Sequence, residues 1–506
     1  MHRRIHVLAL FTAFALAACS PDGPVAPLKA PPSPRLAKSA GDQSGKYIVL
    51  MQGGLPRDFA QTVAGLGGTI RSTHAGAGFA TVSGLTDAAA SQLAATSGVL
   101  EVDPDAIVQL DQPVGLIQTD AAALSAPTTQ SQANPATAIL ASWQWNMLLI
   151  DADKAWAAQK LGSPNVTVAI LDTGMDYDNR DLNGLVDLSR SVSFMDTFVP
   201  GPDGVASSPS DDDITTTFFP TRNKISDYNG HGTNVAATVS SLAFAFAGVT
   251  SKTTLIGVKV LGAHGGGTFG DILNGVLWAA DHGADVANMS LGGEFPRAHN
   301  GQLIRAIRQV FGYAAFKGML IVVAAGNSAE NLDRNGDTYV SFCDAPHVMC
   351  VSAVGPEKVD SDPDAQAFYT NFGRSSIDVA GPGGNESFAT NPLSAWPWGP
   401  DSVSRVWSFC SRTLLKFTAA GVPSFAGCQS GGFVIGAIGT SQATPHVTGL
   451  AALLVADNGH ARPNKIKRMI EDSGDPIRPR LGESRINVAN ALGLNKQKKY
   501  ASHGGY

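Results

Sequence analysis

The apolar residues of this chain fall into two rhythms. Continuous runs at 166–171, 253–261, 286–290, 320–325, 348–354 and 377–380, several rich in Val and Ile, are separated by helical or looped stretches. A strand buried on both faces reads as such a run. Its alternation with helices implies an α/β fold, a doubly wound and mostly parallel sheet with helices on both faces. Val447, Leu450, Ala451 and Leu454 recur at i, i+3, i+4 and i+7, the stripe of a helix with one buried face. Nearer the start the pattern predicts a strand at 46–51, a helix at 58–66, a second strand at 78–83, a second helix at 87–96 and a third strand within 99–110. That order describes a small α+β unit of ferredoxin-like type placed before the main domain.

Between these units the periodicity breaks down. Residues 20–45 are proline-rich, 111–140 are mostly small and polar, and 496–506 form a polar tail. The 111–140 stretch reads as a flexible linker open to proteolysis. Arg3 and Arg4 precede an apolar run over 7–18 that is too short to cross a bilayer, so 1–19 read as a signal peptide. The run ends Leu16-Ala17-Ala18-Cys19, which resembles a bacterial lipobox with Cys19 as the lipidated residue; the alternative is ordinary cleavage after Ala15-Leu16-Ala17. Either reading predicts a secreted or cell-envelope protein, and only a lipid on Cys19 would bring it to a membrane.

Composition narrows the classes further. A chain of 506 residues is long enough for one large core with a small satellite. Its net charge of −6 is modest and argues against a nucleic-acid partner. Apart from Cys19 the cysteines are Cys343, Cys350, Cys410 and Cys428, which allow three pairings. Proximity favours Cys343–Cys350 and Cys410–Cys428 in an oxidising compartment, and none sits in a motif suggesting a thiol nucleophile.

The chemistry centres on Gly439-Thr440-Ser441-Gln442-Ala443-Thr444-Pro445-His446, where a glycine turn meets the apolar helix. Pro445 is expected in the first helical turn, where a missing N–H costs little. A serine there can be a plain helix cap. It can also be a nucleophile at a helix end whose free N–H groups receive negative charge. Asp172 follows the run at 166–171, at the carboxyl end of a strand, and His231 opens a helix after Asp227-Tyr228-Asn229-Gly230. Taken singly, Asp172 is a strand-end turn residue and His231 a satisfied histidine. Taken together the three make an orienter, a base and a nucleophile.

The chain order Asp…His…Ser, joined by a fourth block at Ala324-Ala325-Gly326-Asn327, resembles the subtilisin-like serine proteases, or subtilases, over residues 46–495. The resemblance implies an endopeptidase working through an acyl-enzyme. Ser441 would attack, His231 would carry the proton, and Asp172 would orient His231. The Asn327 amide and the Ser441 N–H would receive the oxyanion. It further implies that 46–110 is an inhibitory propeptide and 141–495 the catalytic domain of a self-processed zymogen, a monomer acting on proteins or peptides. The peptide substrate would lie as a strand between Gly265-Gly266-Gly267-Thr268 and Ser290-Leu291-Gly292, beside Gly326.

No cofactor is needed for that chemistry. Asp181 matches a family calcium ligand, yet 240–248 lacks the Asn-rich loop that completes the site. Asp211-Asp212-Asp213 and the stretch from Asp333 to Asp337 are other calcium candidates, although acidic surface turns are commonly only solvated and calcium asks for six to eight oxygens. Around the first specificity pocket Ser328 and Ala329 follow Asn327 with no acid before Glu330, which predicts an apolar or aromatic residue before the scissile bond.

Departures from the family are Asn234 for a second histidine, Ala237 for a glycine, and Gln442 and Thr444 beside Ser441. Insertions at 183–226 and 385–432 exceed a minimal subtilase. Three rivals are weaker. An aspartic protease would need a second strand-borne Asp, whereas Asp472-Ser473-Gly474 follows an amphipathic helix. A sedolisin-like peptidase would carry Glu where His231 stands. A non-catalytic binding protein on the same scaffold would not need all three residues intact.

Overall fold

The computed structural model describes residues 45–110, 114–120, 134–340, 342–357, 361–385, 405–430, 432–477, 481–482 and 484–495. The expected signal peptide, Cys19, the proline-rich segment and the polar tail lie outside the described residues. Among the described residues no helix is long and apolar enough to cross a membrane.

A nine-stranded sheet organises the large unit. From one edge its strands are Asp475–Pro476, Ser484–Arg485, Val379–Pro382, Val348–Val354, Leu320–Ala324, Val286–Met289, Thr167–Asp172, Thr254–Lys259 and Val192–Ser193. Every neighbouring pair is parallel except the first. All six runs expected as strands are in this sheet, and the additions are short edge pieces. Alternation along Thr167–Asp172 explains why each run is apolar throughout. Val168 and Ile170 join one core with helices His231–Val239 and Thr440–Asp457, while Ala169 and Leu171 join the opposite core with helices Phe269–Asp281 and Gly301–Phe316. Helices on both faces leave a strand no solvent side.

The small unit is a four-stranded antiparallel sheet in the order Thr69–His74, Phe79–Ser83, Tyr47–Met51, Val99–Pro104, with helices Phe59–Gly65 and Asp87–Ala94. Thr69–His74 escapes the sequence pattern because it is a polar edge strand whose residues are only half-buried or exposed. Tyr47–Met51 is buried along its whole length. Tyr47, Val49 and Met51 face the two small helices, whereas Ile48, Leu50 and Phe79 join the core built on Phe269–Asp281 and Gly301–Phe316. One face of the small sheet is therefore sealed by the large unit.

Two further segments differ from expectation. The predicted third strand of the small unit breaks after Pro104, and Ile107–Gln109 leaves to pair antiparallel with Gly266–Thr268. Val114–Asp120, expected as linker, is a strand paired with Phe433–Ile438. Backbone pairing to a partner distant in sequence makes order where local composition offers none. Both proximity-favoured disulfides are present, Cys343–Cys350 and Cys410–Cys428.

Candidate active site

Three sequence-predicted residues converge at the carboxyl edge of the sheet. Asp172 is the last residue of its strand, and His231 is the first residue of its helix. His231 Nδ1 lies 2.8 Å from Asp172 Oδ1, and both side chains are almost fully buried. The remaining His231 nitrogen, Nε2, has no hydrogen-bond partner among the described residues. Burial disfavours the charged imidazole, but the adjacent Asp172 carboxylate, its hydrogen bond and the charge of Asp227 outweigh it and raise the pKa.

Asp227, in the loop before His231, carries no motif signal of its own in the sequence. It is fully buried and accepts from Thr173 Oγ1, Asn229 N, Gly230 N, Thr233 N and Thr233 Oγ1 at 2.6–3.0 Å. A carboxylate at that helix start satisfies orphan N–H groups and favours the dipole. It ties the strand of Asp172 to the helix of His231, and Gly232 N donates to Thr173 Oγ1 at 2.9 Å across the same seam. Gly232 permits this approach, because a Cβ there would stand 2.2 Å from the Gly174 carbonyl.

Ser441 is the second residue of helix Thr440–Asp457. Pro445 therefore lies past the first turn, contrary to expectation, and cannot supply the N–H that the Ser441 carbonyl would normally receive. Ser290 Oγ donates to that carbonyl instead, at 2.8 Å, while Ser441 Oγ donates to the Ser290 carbonyl at 3.1 Å. The proline thus frees one carbonyl for a cross-link that ties Ser441 to the 290–292 segment.

Asn327 is held on the other side. Its Oδ1 accepts from Thr440 N and Thr440 Oγ1, both at 2.9 Å, and Thr440 Oγ1 in turn accepts from Gly326 N at 3.1 Å. Commitment of Oδ1 to Thr440 fixes which end of the amide is oxygen. Thr440 is a second residue that sequence reasoning passed over; its signal was the Gly-Thr-Ser run itself.

The family departures also find places. Gln442 Nε2 and Asn234 Oδ1 are 3.5 Å apart, so the two polar replacements face each other. Thr444 Oγ1 donates to the Thr440 carbonyl at 2.8 Å. His446 is a buried neutral histidine: burial lowers its pKa to about 4, and its ring nitrogens bond the Gln442 carbonyl and the Asn146 amide.

The two insertions meet at Asp176, and the second also braces the loop before His231. Arg222 from the first and Arg412 from the second converge on the fully buried Asp176. Ser411 and Thr413 donate to the Asp227 carbonyl, each at 2.7 Å.

The calcium candidates do not fit a cation. Asp181 accepts from Phe244 N, Ala245 N and Phe246 N at 2.5–3.2 Å, and burial raises its pKa to about 7. Asp211 pairs with buried Lys259 at 2.7 Å, Asp212 with Lys224, and Asp213 with the helix cap Ser210. Asp333 accepts from Arg374 N, Ser375 N and Ser376 N. Carboxylate oxygens that accept from N–H, hydroxyl and ammonium donors are already committed, and calcium needs a shell of oxygens.

The pocket beside Ser441 is bounded by 291–294, 324–326, Val340 and Thr440. It contains Glu294, an acid that the sequence reading of this pocket did not foresee.

Comparison with known proteins agrees with this architecture. Residues 163–496 match the model of the subtilase family. The chain is 31% identical over 339 residues to thermitase of Thermoactinomyces vulgaris, covering 66% of this chain and 90% of that protein. It is 30% identical over 347 residues to a thermophilic serine proteinase of Bacillus sp. (strain AK1), with 67% and 64% covered. It is 32% identical over 256 residues to the subtilisin-like serine protease Pen c 1 of Penicillium citrinum, with 49% of each covered. The chain thus spans about half to two thirds of the length of several such relatives. Among solved structures, the epidermin leader peptide processing serine protease of Staphylococcus aureus superimposes with a TM-score of 0.64 at 18% identity, covering 90% of this chain and 99% of that one. The nisin leader peptidase of Lactococcus lactis does so with a TM-score of 0.53 at 18% identity, covering 71% and 96%. With a family match over most of the large unit and the Asp, His and Ser blocks joined at one sheet edge, this chain belongs to the subtilase family.

Proposed function

We propose that the protein is a secreted or envelope-held serine endopeptidase, made as a zymogen that processes itself. The observation that carries the reading is the 2.8 Å bond from Asp172 to His231 Nδ1, with Nε2 left free beside the Ser441 helix. Asp172 holds the imidazole in the tautomer whose Nε2 accepts a proton. Ser441 Oγ, resting on the Ser290 carbonyl, turns to Nε2, loses its proton and attacks the peptide carbonyl. His231 then passes that proton to the leaving amine, and water repeats the sequence on the acyl-enzyme. The Ser441 N–H and the Asn327 amide receive the oxyanion.

The zymogen reading is supported by the way the chain meets its own site. Ile107–Gln109 lies on Gly266–Thr268 as an added antiparallel strand, and Leu110 N donates to the Gly265 carbonyl at 2.6 Å. Strand addition of this kind is how an extended peptide binds. Further along the chain Val114–Asp120 pairs with the strand ending at Ile438, just before Ser441. The small unit with its tail thus acts as an intramolecular inhibitor. Secretion is supported by the two disulfides, which belong to oxidising compartments. The expected apolar preference before the scissile bond rested on a pocket without an acid, and Glu294 removes that premise.

Labelling with a fluorophosphonate tests the activity, with loss of label in Ser441→Ala as the expected result. An unlabelled mature protein would refute it. N-terminal sequencing of secreted wild type and Ser441→Ala tests self-processing, and identical N-termini would refute that part.

A further inference from the structure

Glu294 opens the strand Glu294–Pro296, which pairs antiparallel with Thr338–Val340 so that Glu294 stands opposite Val340. Both residues line the pocket that Ser441 borders, between the backbone walls 291–293 and 324–326. The carboxylate is held in place there. Its Oε1 accepts from Ser328 Oγ at 3.3 Å and from Asn371 Nδ2 at 3.2 Å. Asn371 cannot turn away, because its own Oδ1 accepts from Ser328 N and Glu330 N at 3.1 and 2.9 Å. Its Nδ2 also donates to the Ala325 carbonyl at 2.9 Å. Gly326 makes room for this amide, since a Cβ would stand 2.7 Å from Asn371 Nδ2.

These donors are neutral, and among the described residues no Lys, Arg or His forms an ion pair with Glu294. By contrast, Asp176 and Asp211 are each answered by a cation. A carboxylate fixed in a concave site without a counter-charge is complementary to a cation arriving with the ligand. A charged group left facing an apolar side chain is penalised.

We propose that Glu294 makes this pocket selective for a cationic side chain, lysine or arginine, immediately before the scissile bond. The inference rests on the endopeptidase reading above. The hydrophobic stem would run between the two backbone walls and the charged head would meet the carboxylate. Gly292 and Gly293 bring no side chain into that wall.

The test is cleavage of a peptide library varied at that position by mature wild type, Glu294→Gln and Glu294→Lys, with fluorophosphonate labelling measured on each. Glu294→Gln keeps an oxygen for Ser328 and Asn371 and changes only the charge. Wild type is expected to favour Lys and Arg. Glu294→Gln should lower their kcat/KM by about 10–100-fold while Leu and Phe substrates change by no more than about 3-fold. Glu294→Lys should turn the preference toward Asp and Glu. A labelled wild type that prefers Leu or Phe overturns the inference alone, as does a uniform loss in Glu294→Gln. Absence of both labelling and cleavage in wild type overturns the endopeptidase reading and this inference with it.

Discussion

Replacing Ser290 by alanine should reveal how the chain tolerates a proline inside the helix that carries its nucleophile. Ser290 is fully buried, and its hydroxyl donates to the Ser441 carbonyl at 2.8 Å while accepting from Asn288 Nδ2 at 3.0 Å. Ser290→Ala leaves both groups buried without that partner. At about 1–3 kcal/mol for each unsatisfied group, the loss lies between about 2 and 6 kcal/mol. Pro445→Ala restores an N–H four residues after Ser441, which can take over the carbonyl through an ordinary helical bond. The two substitutions should therefore be non-additive, the second recovering at least about 1 kcal/mol of the first, with the Asn288 share left unrecovered. Urea unfolding of the single and double variants, in a Ser441→Ala background that prevents self-digestion, measures the coupling. Additivity within about 0.5 kcal/mol would refute the claim that the proline and the Ser290 hydroxyl form one device.

Three further outcomes are expected. Asp172→Asn removes the carboxylate that raises the His231 pKa, so the acid limb of kcat/KM should move to lower pH and kcat should fall by about 10⁴-fold, as for the serine-protease triad in general; an unmoved acid limb would contradict the assignment. Asn327→Leu should lower kcat by about 10²–10³-fold with little change in KM, and a pure KM effect in steady-state kinetics would remove the amide from the oxyanion site. Docking of the small unit should weaken with rising pH. Burial, then the neighbouring charge of Glu101, raises Asp103 to about 7, and burial likewise raises the facing pair Asp105 and Asp271. Carboxylates with raised folded pKa values contribute stability below their ordinary pKa of about 4 and lose it as pH climbs through 7. Asp105→Asn in the Ser441→Ala chain should flatten urea midpoints over that window, and parallel profiles would exclude the pair as the cause.

The polar groups that hold the site together were the least legible part of the sequence. Asp227 and Thr440 stand inside motifs whose visible chemistry belongs to their neighbours. Their importance comes from how many donors they collect, and those donors belong to other segments. Glu294 lies 147 residues before Ser441 in the chain and reaches the pocket only because its strand pairs with Thr338–Val340. The acidic clusters show the same dependence on distant segments. Asp181, Asp211 and Asp333 look like cation ligands in isolation, whereas the fold surrounds each with N–H or ammonium groups.

What the sequence by itself determined follows from period and order. Runs of Val, Ile and Leu dictate strands buried on both faces, an i, i+3, i+4 stripe dictates a one-sided helix, and glycine turns place Asp172, His231 and Ser441 at element ends. Parallel strands with helical crossovers then bring those ends to one edge, so their meeting was readable before any distance was known. Only the tertiary structure decided which hydroxyl replaces the N–H that Pro445 lacks. It alone showed that Val114–Asp120 is a strand and that an acidic residue lines the pocket beside Ser441. Each of these depends on pairing between residues far apart in the chain, and local pattern carries no record of its long-range partner.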